Sequence, residues 1–196
     1  MADALAHRGP DAEGLWVDAP AGILLSHRRL SVLDVSELGN QPMRSEQGRF
    51  VLAYNGEVYN FRELRHELEG HGERFQSATD TEAVLKAYGR WGRGCIERLR
   101  GMFAFAFWDR GRRRLTLARD PLGVRFLYYW TSPEGAVFAS EIKAFLARSG
   151  AAPGDLILVV ADEFLTACDS LGRLRLHLGE KRNLIDKSRH AFLWVV

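Results

Sequence analysis

The chain has 196 residues, of which 46% are hydrophobic and 27% are charged. This composition is typical of a globular protein with one core, and no apolar run is long enough to cross a bilayer. The formal net charge of +2 is too small to indicate a nucleic-acid partner. Because Met1 is not followed by a basic and then apolar signal segment, we expect a cytoplasmic protein that binds neither nucleic acid nor membrane.

The spacing of cysteine and histidine predicts no metal site and no disulfide. The two cysteines, Cys95 and Cys168, are far apart and form no CxxC pair, and the six histidines are scattered along the chain. Cys95 lies in a predicted helix, where a buried and unreactive thiol is expected. We therefore expect no metal or cofactor in this chain.

The first quarter of the chain predicts short strands separated by turns. The end of a helix is expected at residues 1–6 and runs into a turn at residues 7–11. An Ala-Pro-Ala-Gly turn at 19–22 separates the first two strands. Strands are expected at residues 14–18, 22–26 and 49–54, an alternating apolar stretch at 30–35, and a loop at 39–42.

Two helices follow, and each begins with a predicted capping box, in which the N-cap and a residue three positions later satisfy each other's backbone N–H groups. Asn60 with Glu63 marks the start of the first helix, and Gly70 and Gly72 mark its end. Thr79 with Glu82 marks the start of the second helix. The apolar spacing in both is that of a helix with one buried face.

After these helices the apolar period changes from helical to extended. Residues 102–108 form a nearly continuous apolar run, which predicts a strand covered on both faces. The basic run at 110–114 contains a glycine, so we interpret it as a solvated hairpin tip rather than a phosphate-binding patch. Further strands are expected at 114–119, 126–131 and 136–139, and a helix at 141–146. Strands joined by tight hairpins pair antiparallel, so the predicted fold class is α+β.

The Asn55-Gly56 pair, which follows the strand at 49–54, allows two interpretations. An Asn amide beside a Gly N–H offers two donors to one oxygen, the arrangement that stabilises an oxyanion during acyl transfer. Taken alone, the pair is more typical of a type I′ hairpin turn.

Eight motifs in series favour the first interpretation. They are His7-Arg8-Gly9-Pro10-Asp11, His27-Arg28-Arg29-Leu30-Ser31, Gln41-Pro42-Met43, Asn55-Gly56-Glu57, Thr79-Asp80-Thr81-Glu82, Gly101-Met102-Phe103-Ala104-Phe105, Arg119-Asp120-Pro121-Leu122-Gly123 and Phe138-Ala139-Ser140-Glu141-Ile142-Lys143. In this order and spacing they closely resemble the glutaminase domain of glutamine-dependent asparagine synthetases, a class II glutamine amidotransferase. The resemblance covers about residues 1–146.

This resemblance implies an N-terminal-nucleophile hydrolase fold, an αββα sandwich of two antiparallel sheets between helix layers. In the family, an N-terminal Cys attacks the side-chain amide of L-glutamine, and its own α-amine acts as the base. The ammonia released passes to a synthetase domain that uses ATP and Mg, where activated aspartate becomes asparagine.

The resemblance also assigns glutamine-binding residues. Arg29 matches the arginine that holds the α-carboxylate, a role suited to a planar guanidinium, and Asp80 matches the carboxylate that pairs with the α-ammonium. Taken alone, Arg29 is more typical of a surface salt bridge, and Asp80 of an acid in the first turn of a helix. Asn55 and Gly56 match the oxyanion donors. The other matching pocket positions are Leu30, Val32, Leu33 and Glu57, with His7, Arg8 and Asp11 in a turn that braces the site.

Two parts of the family pattern have no match here. The family begins with Cys-Gly-Ile, whereas this chain begins with residues that resemble the internal helix before the turn at 7–11. We therefore expect the first strand and the nucleophile to be absent, and neither Cys95 nor Cys168 can replace a Cys with a free α-amine. The phosphate loop that holds ATP is also missing, and Phe126 stands where the family has Pro.

Residues 147–196 do not follow the family, and we interpret them as a divergent tail. A linker is expected at 149–155, a strand at 156–160 and a helix at 162–168. Loss of the first strand predicts an exposed sheet edge and poor cover for residues 102–108. Both favour aggregation or pairing with another chain.

Three functions therefore remain open. The first is an incomplete glutaminase domain of an asparagine synthetase, inactive alone. The second is a non-catalytic domain that binds glutamine as a sensor. The third is an amidotransferase that serves a different acceptor.

Overall fold

The computed structural model describes residues 2–32, 34, 36–132 and 135–149, together with four helical positions at Arg173, His177, Glu180 and Lys181. The chain divides into two compact units, Met1–Ala151 and Ala152–Val196. The strand predicted at 156–160 and the helix predicted at 162–168 lie outside the described residues. So does the predicted linker, apart from Ser149, which ends a helix.

The first unit alternates short strands with helices, close to the predicted positions. Its described strands are β1 (Ala12–Asp18), β2 (Ile23–Arg29), β3 (Met43–Arg44), β4 (Phe50–Val58), β5 (Gly101–Asp109), β6 (Arg114–Arg119), β7 (Tyr128–Ser132) and β8 (Gly135–Ala139). Its described α-helices are α1 (Phe61–Gly70), α2 (Asp80–Trp91) and α3 (Ile142–Ser149). Short 3-10 helices lie at Asp3–Arg8, Ala19–Ala21, Glu37–Gly39 and Gly92–Arg98. The alternating apolar stretch predicted at 30–35 forms no strand at its described positions.

Every strand pairing within the described residues is antiparallel, as the α+β prediction requires. One sheet has four strands in the order β3-β4-β5-β6, and the pairs β1-β2 and β7-β8 form two smaller sheets. In the larger sheet β4 and β5 pair along their whole length, from Phe50 opposite Asp109 to Val58 opposite Gly101. The long apolar strand β5 is therefore interior to its sheet.

The two faces of β5 are packed in two separate hydrophobic clusters. Phe103, Phe105 and Phe107 lie in the larger cluster, with Leu68 of α1 and Val84 of α2. The alternate residues Ala106 and Trp108 lie in the smaller cluster, where they pack with Leu25 of β2 and Phe138 of β8. This confirms the prediction of a strand covered on both faces.

These contacts define the layers of the unit. Helices α1 and α2 cover one face of the four-stranded sheet, and the two smaller sheets lie on its other face. Helix α3 packs on β8 and on the 3-10 helix Asp3–Arg8. The prediction that residues 102–108 are poorly covered is wrong, because β4 and β6 flank this strand and Phe103–Trp108 are buried.

Only one of the two predicted helix caps forms. Thr79 Oγ1 accepts the backbone N–H of Glu82 at 3.2 Å, which is one half of the capping box predicted for α2. The other half does not form, because the Glu82 carboxylate accepts from the backbone N–H groups of Gln76 and Ser77. At α1 the side chain of Asn60 makes no capping hydrogen bond. Instead its amide donates to Arg98 O at 3.0 Å and its Oδ1 accepts from Arg100 N–H at 2.9 Å. The predicted Asn60 cap is therefore wrong, since this side chain ties α1 to the segment before β5.

The structure confirms two further predictions about local environment. Residues 110–114 are exposed at the β5–β6 connection, as expected of a solvated hairpin tip. Cys95 is fully buried in the 3-10 helix Gly92–Arg98, and burial raises the pKa of its thiol to about 12. A thiol with this pKa carries almost no thiolate at neutral pH and is unreactive.

Candidate functional site

The Asn55-Gly56 pair lies inside β4 and not in a turn. Asn55 is opposite Ala104 and Gly56 is opposite Phe103 in the ladder with β5. The hairpin interpretation is therefore wrong: nine residues of pairing with β5 hold this dipeptide in an extended conformation. Side chains alternate along a strand, and Val51 and Ala53 pack in the smaller cluster, so Asn55 projects between the two sheet layers.

One edge of β4 is held by side chains instead of a neighbouring strand. Strand β3 has only two residues, which pair with Val51 and Leu52. Three N–H groups of β4 donate to side-chain oxygens on that side: Phe50 N–H to Ser45 Oγ at 3.0 Å, Tyr54 N–H to Gln41 Oε1 at 2.6 Å, and Val58 N–H to Asp80 Oδ2 at 2.9 Å. Backbone groups alternate between the two edges of a strand, so the Gly56 N–H points to the same edge.

Gly56 also brings two backbones unusually close together. A Cβ atom at this position would collide with the Met102 carbonyl oxygen and would lie 2.6 Å from Phe103 Cα. Any side chain would push β4 away from β5. Glycine is therefore required at this position for strand pairing.

Asp80 is a buried acidic residue at the start of α2 and is 5% exposed. Its Oδ2 accepts from Tyr54 Oη at 2.7 Å and from Val58 N–H at 2.9 Å. Burial and the neighbouring Asp80 charge raise the pKa of Tyr54 well above its usual value, so this hydroxyl stays protonated and donates. The other carboxylate oxygen of Asp80 has no hydrogen-bond partner among the described residues.

Arg29 is also buried, at 8% exposure, which excludes the surface salt bridge considered from the sequence. Its Nη1 donates to Ser36 O at 2.8 Å and to Asn40 Oδ1 at 3.0 Å, and its Nη2 donates to Asp34 O. Gly39 leaves room for the guanidinium, because a Cβ there would collide with Nη2. Asp34, Ser36, Gly39 and Asn40 thus lie around this cation.

A cavity of about 350 Å³ brings these groups together. Of the glutamine-binding positions expected from the resemblance, it is lined by Arg29, Leu30, Val32, Asn55, Gly56, Glu57 and Asp80. Leu33 lies outside the described residues. Leu30, Val32 and Glu57 are exposed, whereas Arg29 and Asp80 are buried. The cavity therefore combines one buried cation and one buried anion with the free edge of β4.

The turn at 7–11 contacts the site through its neighbours. Asp11 Oδ2 accepts from Ser31 N–H at 2.8 Å, and Arg8 donates to Glu141 at 3.1 Å. These bonds fix the chain that follows Arg29 and attach the 3-10 helix to the segment before α3, the bracing role expected from the sequence.

Several cavity residues were not identified as functional from the sequence. His27 and Arg125 line it, and each has a buried nitrogen, Nδ1 and Nε respectively, without a hydrogen-bond partner among the described residues. Gln41 and Tyr54 line it as well. His27 and Gln41 belong to two of the eight sequence motifs, but only the structure shows that their side chains bind the backbone of β4.

His27 is held as a neutral imidazole. Its Nε2 lies 2.9 Å from Tyr54 O, and a carbonyl can only accept, so Nε2 carries the proton. Burial lowers the pKa of His27 from 6.5 to about 4, although the bond to Tyr54 O opposes that shift. The unprotonated Nδ1 is left buried and unpaired.

This lowered pKa predicts a loss of stability in mild acid. The unfolded chain binds a proton at His27 below pH 6.5 while the folded chain does not until about pH 4, so the contribution of His27 to the unfolding free energy falls between those values. We expect wild type to lose roughly 2–3 kcal/mol more than His27→Gln between about pH 7 and about pH 4.5. Urea denaturation of both proteins measures this, and equal losses would contradict it.

The described residues give no sign of a metal centre or a membrane span. Nowhere in the described ranges do three His, Cys, Asp or Glu side chains gather as metal ligands would. No described helix is long and apolar enough to cross a bilayer.

The fold has relatives among solved structures. The glutamine phosphoribosylpyrophosphate amidotransferase from Bacillus subtilis, solved with ADP and GMP, matches with a TM-score of 0.53 and 28% sequence identity. The match covers 62% of this chain and 28% of that one. The first unit therefore has the fold of the N-terminal-nucleophile amidotransferases, which confirms the predicted fold class.

Sequence comparison then gives the family. The family described as "Glutamine amidotransferase domain" matches residues 1–166. Asparagine synthetase [glutamine-hydrolyzing] 3 of Bacillus subtilis is 42% identical over 150 residues, which cover 76% of this chain and 24% of that protein. The protein named amidase chry2 of Gibberella zeae is 41% identical over 145 residues, which cover 74% and 22%. This chain belongs to the glutamine amidotransferase domain family, and it spans about a quarter of the length of these relatives.

Proposed function

We propose that this chain is the glutamine-binding part of an amidotransferase of the asparagine synthetase type. The observation that carries the proposal is the single cavity shared by Asp80, Arg29 and the Asn55-Gly56 edge of β4. L-Glutamine carries an ammonium, a carboxylate and a carboxamide oxygen, and these groups match that set in charge and in hydrogen-bonding character.

In this proposal each end of the ligand has a separate partner. The α-ammonium binds the Asp80 oxygen that is not engaged by Tyr54 and Val58. The α-carboxylate binds Arg29, where it replaces at least one of the present acceptors, which are Asp34 O, Ser36 O and Asn40 Oδ1. The carboxamide oxygen accepts from the Asn55 amide and the Gly56 N–H, donors that would also stabilise a tetrahedral oxyanion.

Hydrolysis of the bound carboxamide requires a nucleophile and a base next to it. Among the described residues that line the cavity there is no cysteine, and Cys95 is buried in the larger hydrophobic cluster with a raised pKa. We therefore expect residues 1–196 to bind glutamine without hydrolysing it. Transfer of its nitrogen to aspartate with ATP and Mg would belong to the greater part of the relatives' length that this chain does not span.

A different acceptor is the second candidate. It is favoured by the relative named an amidase, which matches this chain at nearly the same identity as the asparagine synthetase. Both candidates share the glutamine-binding step and differ only in where the nitrogen goes. A glutamine sensor is a third candidate, favoured by binding groups in a cavity whose described lining holds no thiol.

Calorimetry on the purified chain tests the shared step. We expect saturable binding of L-glutamine, weaker binding of D-glutamine, and no glutamate release above a heat-killed control. Absence of glutamine binding would overturn the proposal. Sustained glutamate release would overturn the expected lack of hydrolysis and exclude a pure sensor.

A further inference from the structure

The Tyr54 backbone, next to the Asn55-Gly56 donors, is held by two side chains that the proposed function does not use. Gln41 Oε1 accepts the Tyr54 N–H at 2.6 Å, and His27 Nε2–H donates to Tyr54 O at 2.9 Å. Both polar groups of one peptide position are therefore satisfied by side chains from outside the four-stranded sheet.

These contacts occur where β4 has lost its strand neighbour. Strand β3 pairs only with Val51 and Leu52, so beyond Leu52 this edge of β4 is open within the described residues. An open edge carries unpaired N–H and C=O groups that bind water or another strand. Gln41 and His27 occupy the groups of Tyr54, and Asp80 occupies the N–H of Val58.

Gly56 lies midway between the occupied positions. Its N–H points to the same edge, and none of the described side chains accepts it. Within the described part of the chain, this edge of β4 is thus occupied at the N–H groups of Tyr54 and Val58 and left open at Gly56, which lines the ligand cavity.

The cost at His27 is an independent sign of a functional role. Holding Tyr54 O leaves the His27 Nδ1 buried and without a hydrogen-bond partner among the described residues, which is unfavourable for folding. Unsatisfied groups of this kind are rare in folded proteins and call for an explanation.

We infer that Gln41 and His27 are positioning residues for the Asn55-Gly56 donors. By satisfying the Tyr54 N–H and C=O, these two side chains fix the orientation of Asn55 and Gly56, the next two residues of β4. They also prevent another strand from pairing with this edge and accepting the Gly56 N–H. The inference rests on the proposed function. It adds that recognition of the ligand's carboxamide depends on two cavity-lining residues that act through the backbone of Tyr54.

The test compares two ligands on one set of variants. L-Norvaline has the α-ammonium and α-carboxylate of L-glutamine on a three-carbon side chain that lacks the amide, so the ratio of its Kd to that of glutamine reports carboxamide recognition alone. In Gln41→Met the acceptor for Tyr54 N–H is lost, and we expect this ratio to fall about fivefold, the effect of one lost hydrogen bond. Norvaline binding should be unchanged.

Two conservative variants and one control separate positioning from a general loss of structure. Gln41→Glu keeps an oxygen acceptor, and His27→Gln keeps an N–H donor, so both should retain most of the wild-type ratio, whereas His27→Leu should lose it. Ser45→Ala removes the equivalent contact to Phe50 N–H, which lies outside the cavity, and should leave the ratio unchanged.

Hydrogen–deuterium exchange over residues 54–58 in wild type keeps the inference testable even if a variant fails to fold. Glutamine should slow exchange at Gly56, and norvaline should not. An unchanged Kd ratio in Gln41→Met and His27→Leu, with glutamine still bound, would overturn the inference alone. Failure of wild type to bind glutamine would overturn the proposed function and the inference together.

Discussion

Replacement of Asp80 by asparagine is expected to weaken glutamine binding by roughly 100-fold, the effect of removing one partner of a buried charge pair. Asparagine keeps the shape of the side chain but not its charge. In the proposed complex the ligand ammonium would then lie in a buried site without a counter-charge. Calorimetric titration of wild type and Asp80→Asn measures the difference.

The same substitution is expected to lower stability as well. The Tyr54 hydroxyl and the Val58 N–H would lose a charged acceptor, at a cost of about 2 kcal/mol. Asp109→Asn is the matched control, because Asp109 is 6% exposed and accepts a hydrogen bond from Arg49 at 3.0 Å. Asp109 does not line the cavity. It should lose similar stability and bind glutamine normally. Equal binding by both variants would show that Asp80 does not contact the ligand.

Replacement of Gly56 by alanine is expected to remove glutamine binding and to destabilise the first unit by roughly 3 kcal/mol, the upper end of overpacking costs. The new Cβ would overlap the Met102 carbonyl oxygen, a backbone atom that cannot move away by a change of side-chain rotamer. Strands β4 and β5 would have to separate at the centre of the larger sheet. A fall in Tm of about 10 °C is expected for a chain of this length.

Gly94→Ala is the control for this experiment, because a Cβ at Gly94 meets nothing within 4 Å. Its Tm should stay close to that of wild type. A Gly56→Ala protein that melts with wild type and binds glutamine normally would mean that β4 tolerates a side chain there. The oxyanion role proposed for its N–H would then need a different geometry.

The elements that depend on local pattern could be predicted from the sequence. The apolar run at 102–108 becomes β5, because a strand buried on both faces needs apolar residues at every position. Thr79 caps α2 because its hydroxyl reaches an N–H only three residues away. Both outcomes depend on neighbours in the chain and little on the rest of the fold.

Local patterns indicated the wrong structure where distant contacts competed with local ones. Asn60 has the right residue type for a cap, but the backbone of Arg98 and Arg100 takes its side chain. Asn55-Gly56 has the composition of a hairpin turn, but pairing with β5 keeps it extended. In both cases the partner found in the structure lies about 40–50 residues away in the chain, too far for a rule based on neighbouring residues to identify it.

By itself the sequence determined the fold class, most of the strands and helices, and through its motif series the family and several of the polar residues that line the cavity. Only the tertiary structure decided which backbone groups of β4 are occupied and which N–H is left for a ligand. That choice depends on Gln41, His27 and Asp80, whose contacts with β4 span 13 to 27 positions in the chain. The apolar period of a sequence indicates which face of a helix or strand is buried. Hydrogen bonds at an open strand edge depend instead on how segments distant in the chain pack together.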